Sequence, residues 1–90
     1  MEKYNGWTNY ATWKVNLEIF VDYELNEYEQ TLDTYDLAKT LEDMVDEILA
    51  SEAGFNSLVY NYACAFVADV NFYEIAQSLK DNEVQYNANN

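Results

Sequence analysis

The sequence predicts an all-α protein, a compact bundle of about four helices of unequal length. Three observations point there. Apolar side chains recur at helical spacing in four successive segments of the 90-residue chain. The chain has no proline and only two glycines, so little interrupts a helix. Half its residues are hydrophobic, including nine tyrosines, four phenylalanines and two tryptophans, which supplies area for one core and not for two. Residues 1–90 therefore read as a single acidic helical domain.

The first helix is predicted over about 9–23. Tyr10, Trp13, Leu17, Phe20 and Val21 fall at i, i+3, i+7, i+10 and i+11, one stripe that Thr8 or Asn9 can cap. The link from Tyr23 to Leu32 is acidic and aromatic, has room for one helical turn, and carries Leu25 and Tyr28 to dock it. The clearest amphipathic helix then runs from Asp33 to about Ala50. Leu37, Leu41, Met44, Val45 and Ile48 share its apolar face, while Asp36, Asp43, Asp46 and Glu47 fall elsewhere. Gly54 can take the positive φ of a helix end.

A third stripe, Val59, Tyr62, Ala63, Phe66, Val67 and Val70, follows Asn56 or Ser57 as a cap. It predicts a nearly all-apolar central helix, although its β-branched and aromatic content also fits a buried strand over 57–70. Asn71 with Glu74 three residues on resembles a capping box, and Phe72, Ile75, Ala76 and Leu79 make the stripe of a short last helix. That helix is predicted to end near Asp81, with 82–90 as a flexible tail.

Charge is the most uneven property of the chain. Seventeen acids against four lysines and no histidine give a formal charge of -13, and twelve of those acids lie between Glu18 and Glu52, where Lys39 is the one cation. Such a field serves solubility or attracts a basic partner. It disfavours direct nucleic-acid binding and anionic membranes, which repel it. No apolar run is long enough to cross a bilayer, and the single cysteine, Cys64, suits a reducing compartment. The expectation is a soluble protein of the cytoplasm.

No catalytic residues emerge. Glu42, Asp43, Asp46 and Glu47 occupy adjacent helical rows, but solvated carboxylates lack the shifted proton affinity that acid–base catalysis uses. Cys64 has neither a histidine nor a basic neighbour to activate it and reads as a core residue. The alternating oxygen donors of Asp22, Glu24, Asn26 and Glu27 lack the glycine of a calcium loop, and zinc lacks ligands. The chain thus reads as no enzyme, with no cofactor and no metal site. Tyr28, Tyr35, Tyr60 and Tyr73 fall off the stripes and suit interface anchoring.

The segment Tyr4-Asn5-Gly6-Trp7-Thr8-Asn9-Tyr10-Ala11-Thr12-Trp13, with Val70-Asn71-Phe72-Tyr73-Glu74-Ile75-Ala76 near the other end, resembles a family of small uncharacterised proteins of bacteriophages and other mobile elements. The resemblance implies an accessory gene and carries no biochemical activity with it. The box also has a structural reading: Gly6 turns the chain, Thr8 or Asn9 caps a helix, and Trp7, Tyr10 and Trp13 pack around its first turn.

Charge and resemblance together lead to a functional expectation. It is a non-enzymatic inhibitor of a host nucleic-acid-binding defence protein, anti-CRISPR or anti-restriction, in the host cytoplasm. Acids three or four apart on a helix lie about 5–6 Å from each other, a scale comparable with the phosphates of one strand. Asp36, Asp43, Asp46 and Glu47, extended by Glu27 and Glu29 of the link, are the predicted DNA-mimicking contacts to a basic groove. The alternative is a small interaction adaptor that binds through exposed tyrosines, with a homodimer as one arrangement.

Overall fold

A polar side chain stands at the start of each helix and takes up a backbone N–H that the helix cannot satisfy internally. The structure, a computed structural model, describes residues 3–88, with side chains through Asn82. Asn9 accepts from Thr12 N to start α1, Tyr10–Val15. Asn26 accepts from Glu29 N to start α2, Glu27–Thr31, and Asp33 from Asp36 N to start α3, Thr34–Ala53. Ser57 accepts from Tyr60 N to start α4, Leu58–Val67. Asn71 accepts from Glu74 N at 3.1 Å, opening α5, Phe72–Ala88. Each such cap contributes about 0.5–2 kcal/mol.

The chain is therefore all-α, with no strand among the described residues. Among the described residues an extended pairing joins Tyr4 and Trp7 through two backbone hydrogen bonds of 2.7 and 2.8 Å. Between them Asn5 and Gly6 both have positive φ, 49° and 88°, as a tight Asn-Gly turn requires. Segment 57–70, open to helix or strand by its composition, contains helix α4.

The core lies between α3 and α5. Leu37, Leu41 and Val45 of α3 meet Phe72, Ile75, Ala76 and Leu79 of α5, all buried. Val15, Phe20 and Leu25 close the same cluster from the N-terminal side. The stripes predicted for these two helices hold, except that Ile48 stays 38% exposed near the end of α3. Gly54 ends α3 with φ 87°.

Three expectations need correction. Of the first predicted stripe only Phe20 is buried, while Tyr10, Leu17 and Val21 are exposed. The inward residues are Ala11, Thr12 and Val15, and after them Asn16–Phe20 forms a π-helical segment. A π turn holds one residue more than an α turn. It sets Val15 and Phe20, five apart, on the same core and turns Leu17 and Val21 outward.

The second correction concerns α4, which is neither central nor buried: none of its residues is buried. Tyr60, Ala63, Cys64 and Val67 are its partly covered residues, while Leu58, Val59, Tyr62 and Phe66 are exposed. Its inner face meets α3, and the paired stripes of α3 and α5 already satisfy each other, leaving α4 outside the main core. Cys64, read as core, is half-buried.

Thirdly, α5 continues to Ala88, past the predicted stop at Asp81. Residues 82–88 contain no proline or glycine, and Glu83, Val84 and Gln85 carry no strong helix-breaking preference. The last two residues of the predicted tail lie outside the described residues.

Candidate functional site

Two surfaces stand out, an acidic row on α3 and the apolar outer face of α4. On α3, Asp36, Asp43 and Glu47 are exposed. At 100° per residue their spacing of seven and four puts them on one stripe, opposite Leu41 and Val45. Among the described residues only two ion pairs form, Lys14–Glu18 at 2.8 Å and Lys39–Glu42 at 3.5 Å. Neither engages the row, so its charge is left to solvent or to a partner.

The other predicted contact acids separate from this row. Glu27 is exposed in the first turn of α2. Glu29 is only 4% exposed and is corrected out of the surface set. Both its oxygens accept from the Tyr23 hydroxyl at 2.8 Å, and one also accepts from Asn26 N at 3.0 Å, closing a capping box on α2. The signal was present as Asn26-x-x-Glu29, a cap residue with a glutamate three positions on. Burial, and then the hydrogen bond to Glu29, push the Tyr23 hydroxyl up to about 12.

Asp46 faces α4. Its Oδ1 accepts from the Tyr60 hydroxyl at 2.6 Å, and Cys64 Sγ lies 3.9 Å from the same oxygen. The bond to Asp46, with the neighbouring Cys64 thiol second, raises the proton affinity of the Tyr60 hydroxyl above the ordinary tyrosine range. Asp46 thus fastens α4 to α3, and Tyr60, an expected interface anchor, is used internally. Tyr28, Tyr35 and Tyr73 remain exposed.

The N-terminal box is likewise engaged inside the fold. Asn9 caps α1 and its Nδ2 donates to the Asp69 carbonyl at 2.8 Å. Thr8 N donates to Glu74 Oε1 at 2.9 Å, so the Glu74 carboxylate expected to close a box on Asn71 reaches across to the N-terminal segment instead. Tyr4, Tyr10 and Trp13 form an aromatic cluster with centroids 5.0–5.6 Å apart.

Along this junction lies an open groove of about 680 Å³, lined by Trp7, Thr8, Asn71, Glu74 and Gln77 among others. A smaller apolar slot of about 230 Å³ separates the π segment from α4, between Val15, Ile19, Leu49, Ala63 and Phe66. Among the described residues no group of three or more His, Cys, Asp or Glu is placed to hold a metal ion. No described helix is long and apolar enough to cross a membrane.

Residues 1–88 match the model of a family of unknown function, DUF7249. No curated protein and no solved structure matches the chain.

Proposed function

The chain belongs to that family of unknown function, and from its own surface chemistry we propose that it inhibits a nucleic-acid-binding defence protein of the host, anti-CRISPR or anti-restriction, by occupying a basic groove. It acts there as a non-enzymatic phage or mobile-element protein in the host cytoplasm. The observation that carries this reading is the exposed row Asp36, Asp43, Glu47, none of which forms an ion pair among the described residues. At 1.5 Å per residue the three carboxylates are spaced about 10 and 6 Å along the helix. One DNA strand advances about 3.4 Å per phosphate, so these intervals match roughly three and two phosphates.

Glu27 on α2 adds to the same field, whereas Glu29 is buried and Asp46, though exposed, is bonded to Tyr60. The surface needs no catalytic group: occupation of a positive groove excludes the nucleic acid by charge and by volume. The test is capture of host protein on tagged wild-type chain at low salt and at about 0.5 M salt, where screening reaches within about 5 Å. The reading expects a nuclease or other nucleic-acid-binding protein that is released by salt and by added duplex DNA. A captured partner that holds on through both treatments, or that has no nucleic-acid surface, overturns it.

A further inference from the structure

The helix richest in apolar residues is also the one the core leaves uncovered. Phe55 is 78% exposed, Leu58 69%, Val59 65%, Tyr62 70% and Phe66 41%. At 100° per residue Leu58, Val59, Tyr62 and Phe66 fall on one side of α4, away from Tyr60, Ala63, Cys64 and Val67; Phe66 borders the rest of the fold against Tyr10 of α1, and Phe55, in the turn before the helix, lies against Tyr60. No charged residue occurs from Ala53 to Ala68.

We infer that this face is the interface of a two-fold homodimer in which α4 packs antiparallel against α4 of a second copy. Area is the first argument. At roughly 200 Å² per aromatic side chain, Tyr62 and Phe66 leave about 220 Å² in solvent. Leu58 and Val59 raise the face to about 450 Å², the size of the largest apolar patch of a monomer, which is often functional. Two such faces remove about 900 Å², the size of a weak, reversible interface.

Symmetry is the second argument. Leu58 and Phe66 lie four residues either side of Tyr62, so a two-fold axis at Tyr62 sets Leu58 of each copy against Phe66 of the other. Val59, Tyr62 and Phe66 have the alternating three-and-four spacing of a helix-pair seam. Charge permits the same occupant at this face. Two molecules of charge -13 repel through most of their surface, and the uncharged stretch is where a second copy can approach without opposing carboxylates.

This interface is separate from the acidic row and responds to salt in the opposite sense. Salt screens the repulsion between copies and favours the dimer, whereas it weakens binding to a basic groove. Sedimentation equilibrium over a concentration series should show a monomer–dimer equilibrium whose dimer fraction rises with added salt. Tyr62→Glu and Leu58→Glu should each weaken dimerisation at least about tenfold, with the far-UV circular dichroism unchanged because both side chains are exposed. In a Cys64→Ser background, Tyr62→Cys should form a disulfide between copies under mild oxidation, and Tyr28→Cys, on α2, should not. A wild type that stays monomeric at every concentration, a dimer that salt dissociates, or one indifferent to both glutamates overturns the inference. Failure of Tyr62→Cys to cross-link a dimer that the glutamates disrupt overturns the antiparallel register.

Discussion

Thr12, with no exposed surface, accepts the Asn71 backbone N–H on its Oγ1 at 2.9 Å and donates its own hydroxyl proton to Asn9 Oδ1 at 2.7 Å. One hydroxyl therefore couples the first turn of α1 to the start of α5 across 59 positions of sequence. Asn71 Nδ2 adds a bond to Thr8 Oγ1 at 3.3 Å. The N-terminal segment 4–13 and the segment 70–76 meet here.

Thr12→Val keeps the shape of the side chain and removes its hydroxyl, leaving the Asn71 N–H without its partner. A buried donor left unpaired costs about 1–3 kcal/mol. Urea denaturation should show the midpoint falling with the slope unchanged. Thr12→Ser, which keeps the hydroxyl, should recover most of the loss.

Leu41→Ala should cost roughly 2–5 kcal/mol, since the side chain is wholly enclosed between α3 and α5 and its removal leaves a cavity. Ile48→Ala, seven residues along the same predicted face, should cost clearly less because Ile48 is already 38% exposed. Equal losses in thermal or urea unfolding would contradict the placement of the core boundary between them.

The amphipathic helices were legible because one face of each is charged or polar: the 3.6-residue stripes of α3 and α5 leave a single way to bury Leu37, Leu41, Val45, Ile75 and Leu79. At Leu17 and Val21 the first helix was misread because a π turn changes the period, and no residue of Asn16–Phe20 announces it; Tyr10, before that turn, is exposed because α1 turns Ala11 and Thr12 inward instead. The position of α4 was hidden for another reason. A helix apolar all round carries no pattern that tells its inner side from its outer, and burial then depends on which neighbours are already satisfied. Within the candidate site, spacing alone predicted the row Asp36, Asp43, Glu47. It could not foresee that Asp46 meets Tyr60 or that Glu29 folds back on Asn26, since each depends on a contact outside the helix stripe.

The Tyr23–Glu29 pair should make stability fall at high pH. The Tyr23 hydroxyl titrates near 10 when unfolded and at about 12 in the fold, so above pH 10 the unfolded chain gives up this proton first. The contribution is complete below pH 10 and is lost as pH rises towards 12. Tyr23→Phe removes the donor to a buried carboxylate, and the wild type should be the more stable by about 1.5–3 kcal/mol near neutrality. That margin, followed by urea unfolding at successive pH values, should hold up to pH 10 and shrink above it. A margin that grows with pH would show that the pair does not titrate this way.

The acids of α3 should divide into two classes under mutation. Reversing Asp36, Asp43 and Glu47 to lysine changes a row with no internal partner, so helicity and unfolding midpoint should change little, by about 0.5 kcal/mol per surface site. The same triple variant should lose salt-sensitive partner capture, because like charges then face the basic groove. Asp46→Asn has the reverse profile. It weakens the charge-assisted bond from Tyr60, and α4 should become more open to amide hydrogen exchange. Partner capture, which does not use Asp46, should survive. If the triple lysine variant binds like the wild type while Asp46→Asn abolishes binding, the acidic row is only a solvated surface, and the junction of α3 with α4 holds the partner instead.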